Sequence, residues 1–197
     1  MDTTMGTSTW HRSPETEAWK RVRELYAQPE PSPQAVVARI VAALEPEARS
    51  GLSDAAASTC LGTLLEGVHS VEFTGMSRAL EALGVGAEPP ALQWAAGLRG
   101  RAERTIAAEG YASRFGDLAL DAVGNAALAI ATRSTTGAGI MSLSLPEVYV
   151  HISRLRRERG LHAAMSLFVG HDLDRTFRYF VARDIGDFIG GAGIPSV

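Results

Sequence analysis

Apolar residues recur along most of this chain at intervals of three and four positions, which is the spacing of one face of an α-helix. Capping residues, prolines and glycines divide this pattern into separate segments. The predicted helices cover residues 14–27, 33–46, 53–72, 76–83, 91–109, 112–132, 145–159, 161–169 and 172–189. No segment shows a convincing strand alternation. The pattern therefore predicts an all-α fold, a compact multi-helix bundle of about eight or nine helices.

Local signals predict where several of these helices begin and end. Ser144 and Glu147 have the spacing of a capping box, so a helix is expected to begin there. Ser53 and Asp54 are predicted to open the third helix, Gly84 to end the fourth, and Asp172 to cap the last. Pro46 is expected to bend or end the second helix, and Gly110 to end the fifth.

The length and composition of the chain are those of a globular domain. Its 197 residues suffice for a full hydrophobic core. Hydrophobic residues make up 46% and charged residues 21%, so disorder is not expected for most of the chain. The expected organisation is a disordered tail over residues 1–13, a single all-α domain over 14–191 and a flexible tail over 192–197.

Charge and cysteine content exclude several classes of protein. A net charge of -3 makes nucleic-acid binding unlikely as the main function, because binding to phosphates needs a basic surface. The single cysteine, Cys60, cannot form an intramolecular disulfide or a cysteine-rich zinc site. Because a single cysteine does not indicate a disulfide-bonded protein, a reducing compartment is expected. Lys20 is the only lysine, which is typical of a GC-rich bacterial genome.

The sequence also predicts a cytoplasmic protein without a membrane segment. The first residues are polar and lack the apolar run of a signal peptide. The apolar stretch over residues 118–131 is interrupted by Asp121 and Asn125 and is shorter than the roughly 20 residues of a membrane span. A buried core helix is the preferred interpretation.

Three polar residues form a stripe on this same apolar helix. Asp117, Asp121 and Asn125 are spaced at i, i+4 and i+8, so they share one face. The stripe is either the solvent-facing edge of a central helix or the lining of a cleft where paired carboxylates hold a cation or a basic group. In the second case Asp117 and Asp121, with His69 or His171, are the candidate catalytic residues of an acid–base or metal site.

Other candidate ligands are better explained by ordinary helix chemistry. Glu66 and His69 have the i, i+3 spacing of a carboxylate-bridged metal site, but no second Glu-x-x-His occurs. Asp172 and Asp174 follow His171 at a predicted helix start, where carboxylates cap the helix. We therefore expect no metal and no cofactor.

Four arginines form the densest positive cluster in the chain. They lie near the end of the predicted helix over residues 145–159: Arg154, Arg156, Arg157 and Arg159. There they complement the helix dipole, and they are also the candidate binding site for an anion or an acidic partner. His151, four residues after Glu147, is expected to form a surface ion pair with it.

The last helix carries a row of large apolar residues, predicted to be buried against the core. These are Leu173, Phe177, Phe180, Val181 and Phe188. Several glycines inside predicted helices indicate either close helix approach or neutral drift in a glycine-rich sequence. They are Gly62, Gly67, Gly97, Gly100, Gly116 and Gly124.

No nucleophile motif, phosphate-binding loop or dinucleotide fingerprint occurs in the chain. This absence favours a non-catalytic helical interaction module that binds a protein partner or self-associates. The alternative is an all-α enzyme built around Asp117 and Asp121. The two hypotheses differ in one geometric requirement. The enzyme needs both aspartates and at least one histidine in a single pocket.

Overall fold

The structure, a computed structural model, describes residues 17–26, 32–111, 113–133 and 137–190. Seven α-helices and one short 3-10 turn, Gly137–Ile140, make up most of these residues. The helices are α1 (Glu17–Tyr26), α2 (Pro33–Leu52), α3 (Ala55–Thr74), α4 (Met76–Leu83), α5 (Pro90–Glu109), α6 (Arg114–Thr132) and α7 (Leu145–Gly190). No strand occurs in the described ranges. The predicted all-α multi-helix bundle is confirmed.

The chain divides into two compact units. One unit comprises Glu47–Phe177, and the other comprises Met1–Pro46 with Arg178–Val197. In the second unit α1 buries Val22, and α2 buries Ile40, Ala43 and Leu44. The single domain over residues 14–191 stays a prediction, and both predicted tails lie outside the described residues.

Most predicted helix ends are confirmed, and their caps are visible. Asp54 caps α3 by accepting a hydrogen bond from the amide of Ala56 at 2.8 Å. Gly84 and Gly110 end α4 and α5 in the left-handed conformation that glycine tolerates. Pro46 does not end α2, which continues to Leu52.

α7 departs from the prediction of three separate helices. Gly160 interrupts it, with φ of 66° and ψ of -176°, so the predicted break at that glycine is confirmed. The predicted break between residues 169 and 172 is wrong, because the helix runs without interruption through Gly170 and Asp172. Asp172 therefore lies inside a helix and is not a helix cap.

The core of the larger unit forms where α3, α5 and α6 pack against one another. α5 and α6 make the most extensive helix pair, and α3 packs on both. The fully buried Trp94 of α5 and Leu64 of α3 are among the largest core side chains. Gly67 lies against Leu98, where an added Cβ would come within 2.5 Å of a leucine methyl carbon. Some helix glycines thus serve close approach, which was one of the two sequence interpretations.

Candidate functional site

The carboxylate stripe of α6 is divided between two environments. Asp117 is exposed and lines an open groove of about 470 Å³ between α5 and α6, with Glu103 among the other lining residues. The remaining lining residues are Ile106, Ala107, Ser113, Arg114, Gly116 and Leu120. Asp121 lies outside this groove and pairs with Arg99 of α5 at 3.5 Å. The groove therefore holds one of the two candidate aspartates and no histidine.

The histidines proposed for the enzyme alternative lie elsewhere. His69 is exposed, and its ring packs against that of Phe73 with a centroid distance of 4.3 Å and the ring planes tilted by 38°. Its predicted metal-site companion, Glu66, pairs with Arg101 at 3.0 Å. His171 is half-buried on α7. Among the residues that the structure describes, no group of three or more potential ligands is placed to hold a metal ion.

The arginine cluster is partly neutralised by acidic residues. Arg154 pairs with Glu158 at 2.6 Å, and Arg133 approaches the same carboxylate at 3.6 Å. The hydrogen bond from Arg154 is the main reason that the pKa of Glu158 is lowered. Arg156 pairs with Glu72. Binding of an anion or acidic partner by the four arginines stays a prediction, and any such ligand would compete with these carboxylates.

His151 forms a different partnership from the predicted ion pair. Its Nδ1 lies 2.7 Å from the backbone oxygen of Ala131, one of the last carbonyls of α6. Those carbonyls have no partner within their own helix, so the ring satisfies an otherwise orphaned acceptor. Glu147 instead accepts hydrogen bonds from the amide and the hydroxyl of Ser144, at 2.8 and 2.6 Å. The capping box is thus formed, and the Glu147 carboxylate bonds to Ser144 instead of forming the expected ion pair with His151.

Two helix caps are joined by a hydrogen bond at one end of the bundle. Ser113 caps α6 by accepting from the amide of Gly116 at 2.9 Å. Its hydroxyl donates to the second carboxylate oxygen of Asp54 at 3.0 Å. Because Asp54 caps α3, this bond ties the beginnings of α3 and α6 together.

Asp172 of α7 is a buried carboxylate on which the charge of Asp54 acts. Its side chain is 3% exposed, on the same face of α7 as the buried Phe168 and Thr176. Burial, and to a lesser extent the negative charge of Asp54, raises the pKa of Asp172 from 3.8 to about 6. Sequence reasoning missed this group because an aspartate two residues after a glycine has the appearance of a helix cap.

The predicted buried face of the last helix is wrong for the residues that can be checked. Leu173 and Phe177 are each 38% exposed. Burial instead follows the row Ala164, Phe168, Asp172 and Thr176, at i, i+4, i+8 and i+12. The side chains of Phe180, Val181 and Phe188 lie outside the described residues.

The exposed side chains of α7 form an apolar stripe. We call the α7 stripe the set Met165, Val169, Leu173 and Phe177, spaced four residues apart. Three of the four are large hydrophobic side chains exposed by 38% or 39%, and Val169 is half-buried. A row of smaller and polar residues runs beside the stripe on the exposed face: His162, Ser166, Gly170 and Asp174. Contiguous exposed apolar surface of this kind marks interaction sites.

α6 is the one described helix that is long and apolar enough, by length and composition, to cross a membrane. More than half of its apolar segment is buried inside the protein, and the core helices of soluble proteins meet the same criteria.

Comparison with family models, curated proteins and solved structures finds no match to this chain. Its function must therefore be inferred from its own surface and buried groups.

Proposed function

We propose that this protein is a non-catalytic, cytoplasmic helical module that associates with a second copy of itself through the α7 stripe. The observation that carries the proposal is the exposure of Leu173 and Phe177 on a row that also contains Met165. Large apolar side chains in one row cost free energy while they face water, and contact with another helix removes that cost.

The polar row beside the stripe favours a second copy as the partner. A twofold interface brings the same surface of each chain together, with α7 antiparallel to its counterpart. Reversing the row about its centre sets His162 of one chain opposite Asp174 of the other, at both ends of the contact. Ser166 and Gly170 then meet at the crossing point, where small side chains allow the helix axes to approach closely.

The enzyme alternative gains no comparable support. It requires Asp117, Asp121 and a histidine to converge on one pocket. The groove beside Asp117 contains neither of the other two groups. An interaction role for α7 needs no such convergence.

Sedimentation velocity over a range of protein concentrations tests the proposal. The double variant Leu173→Gln, Phe177→Gln removes two of the three exposed large apolar side chains of the stripe. Each buried interface side chain of this kind contributes about 1 kcal/mol or more, so dimer affinity should fall roughly 10- to 100-fold. The monomer should stay folded, with a stability loss of about 1 to 2 kcal/mol for each of the two partly exposed side chains.

The matched control carries the same kind of substitution at exposed apolar residues outside the stripe. Met141 is 59% exposed and Val150 is 47% exposed. The double variant Met141→Gln, Val150→Gln should dimerise like the parent. A parent protein that stays monomeric at high concentration, or a stripe variant that dimerises as tightly as the parent, would contradict the proposal.

A further inference from the structure

Asp172 occupies an unusual position for a carboxylate. It is 3% exposed and lies between Phe168 and Thr176 on the buried row of α7. Burial and the negative charge of Asp54 both oppose its ionisation. A buried ionised carboxylate that faces a like charge is strongly disfavoured, because it loses hydration without gaining an opposite charge. Asp174, two residues further on, is exposed.

The groups that face Asp172 do not compensate its charge. Across from it, α3 contributes Asp54, which adds a second negative charge, and the buried thiol of Cys60. Burial raises the pKa of Cys60 to about 12, so this thiol stays neutral in the physiological range. Arg99 of α5 acts electrostatically on Cys60. On α7 itself the neighbouring ionisable side chains are His171 and Arg175, both half-buried.

We propose that Asp172 makes the second half of α7 a pH-responsive element of the fold. In mildly acidic solution the neutral carboxyl group lets the segment around residues 168–176 pack firmly against the core to which Phe168 belongs. At neutral pH the ionised carboxylate, facing Asp54, loosens that packing. The device acts within one chain, so it goes beyond the proposed self-association and does not require it.

The sign and size of the effect follow from the two ionisation states. The pKa of Asp172 is about 6 when packed and 3.8 when exposed to water, so the packed state binds the proton more tightly. Packing is then strongest below about pH 4 and weakens as the pH rises to about 6. Between about pH 5 and about pH 7.5 the population of the loosened segment should rise roughly tenfold.

Hydrogen–deuterium exchange of amides in residues 168–176 measures this population directly. After correction for intrinsic exchange rates, protection in the parent should fall about tenfold from pH 5 to pH 7.5. Asp172→Asn, which cannot ionise, should show less than about a twofold change. Asp117→Asn, which neutralises an exposed carboxylate on α6 away from the α7 stripe, is the matched control and should behave like the parent, as should His171→Gln.

A carbon-13 titration of the Asp172 carboxyl group in the parent protein provides a second test that does not depend on any variant folding. Its midpoint should lie near pH 6. Asp54→Asn keeps an oxygen that can cap α3 but removes the negative charge, so it should lower that midpoint. A parent midpoint below about pH 4.5, or equal pH dependence of protection in the parent and Asp172→Asn, would overturn the proposal.

Discussion

Substitution of a single helix glycine tests how closely the core helices pack. Gly97 of α5 faces Leu83, the last residue of α4, and Val85, two residues beyond it. A Cβ placed there would lie 2.9 Å from the Cβ of Leu83 and 3.2 Å from a methyl carbon of Val85. The Leu83 Cβ is fixed to its backbone, so it cannot rotate away, and α4 or α5 must shift. Gly62 of α3 is the matched control, because nothing lies within 4 Å of its added Cβ.

The two substitutions should therefore change stability in opposite directions. Alanine in place of glycine inside a helix gains about 0.5 to 1 kcal/mol, and this gain applies to both variants. Overpacking costs about 1 to 3 kcal/mol and applies only to Gly97→Ala. The difference spans roughly 0 to 2.5 kcal/mol, and we expect a loss of roughly 1 to 2 kcal/mol for Gly97→Ala because the Leu83 Cβ at 2.9 Å cannot rotate away. Gly62→Ala should gain about 0.5 to 1 kcal/mol.

Thermal unfolding followed by circular dichroism measures this difference. In a protein of this size, 1 kcal/mol corresponds to about 2 to 4 °C in the melting temperature. Gly97→Ala should melt roughly 2 to 8 °C below the parent, and Gly62→Ala slightly above it. The reasoning would be refuted if Gly97→Ala melted at or above the parent temperature.

Three further predictions concern side chains of the larger unit. Phe168→Ala should cost about 3 to 5 kcal/mol in urea unfolding, whereas the exposed Phe177→Ala should cost about 1 to 2 kcal/mol; equal losses would contradict the assigned helix face. Cys60 should react with a thiol reagent only after unfolding, because it is fully buried and its pKa is raised to about 12. Rapid labelling of the native protein would show that α3 is not packed as described. Ser113→Ala should cost about 1 to 2 kcal/mol, since it removes both the cap of α6 and the bond to Asp54; an unchanged melting temperature would contradict this.

The helix content of this chain could be predicted from sequence because its determinants are local. The cap at Asp54 and the glycine stop at Gly110 each act within a few residues, and both are confirmed. The role of Gly67 could be anticipated only as one of two possibilities. Whether a helix glycine faces a neighbour depends on tertiary packing, as the contrast with the open Gly62 shows.

The face of α7 could not be predicted because two rows of residues compete for it. The row with Leu173 and Phe177 has the larger apolar side chains, and sequence reasoning chose it for the core. The structure buries the adjacent row with Phe168 and Asp172. An aspartate on a buried row contradicts simple hydrophobic patterning, and only the packed structure shows where it lies. The same packing leaves the α7 stripe exposed and so supports the proposed function.

A distance measured between two copies of the protein tests this account most directly. A spin label on Arg178→Cys would stand just beyond the end of the α7 stripe, outside the closest contact of the two helices, and the buried Cys60 would remain unlabelled. In an antiparallel pair centred near residue 168 the two labels lie about 20 residues apart along the helices, so they should give a well-defined distance of about 30 Å by pulsed electron resonance. The same label on Ser77→Cys, on the exposed side of α4, should not give that distance. Absence of the distance of about 30 Å for Arg178→Cys in a concentrated sample, or a shorter distance from Ser77→Cys, would place the interface elsewhere and contradict the assignment of the α7 stripe.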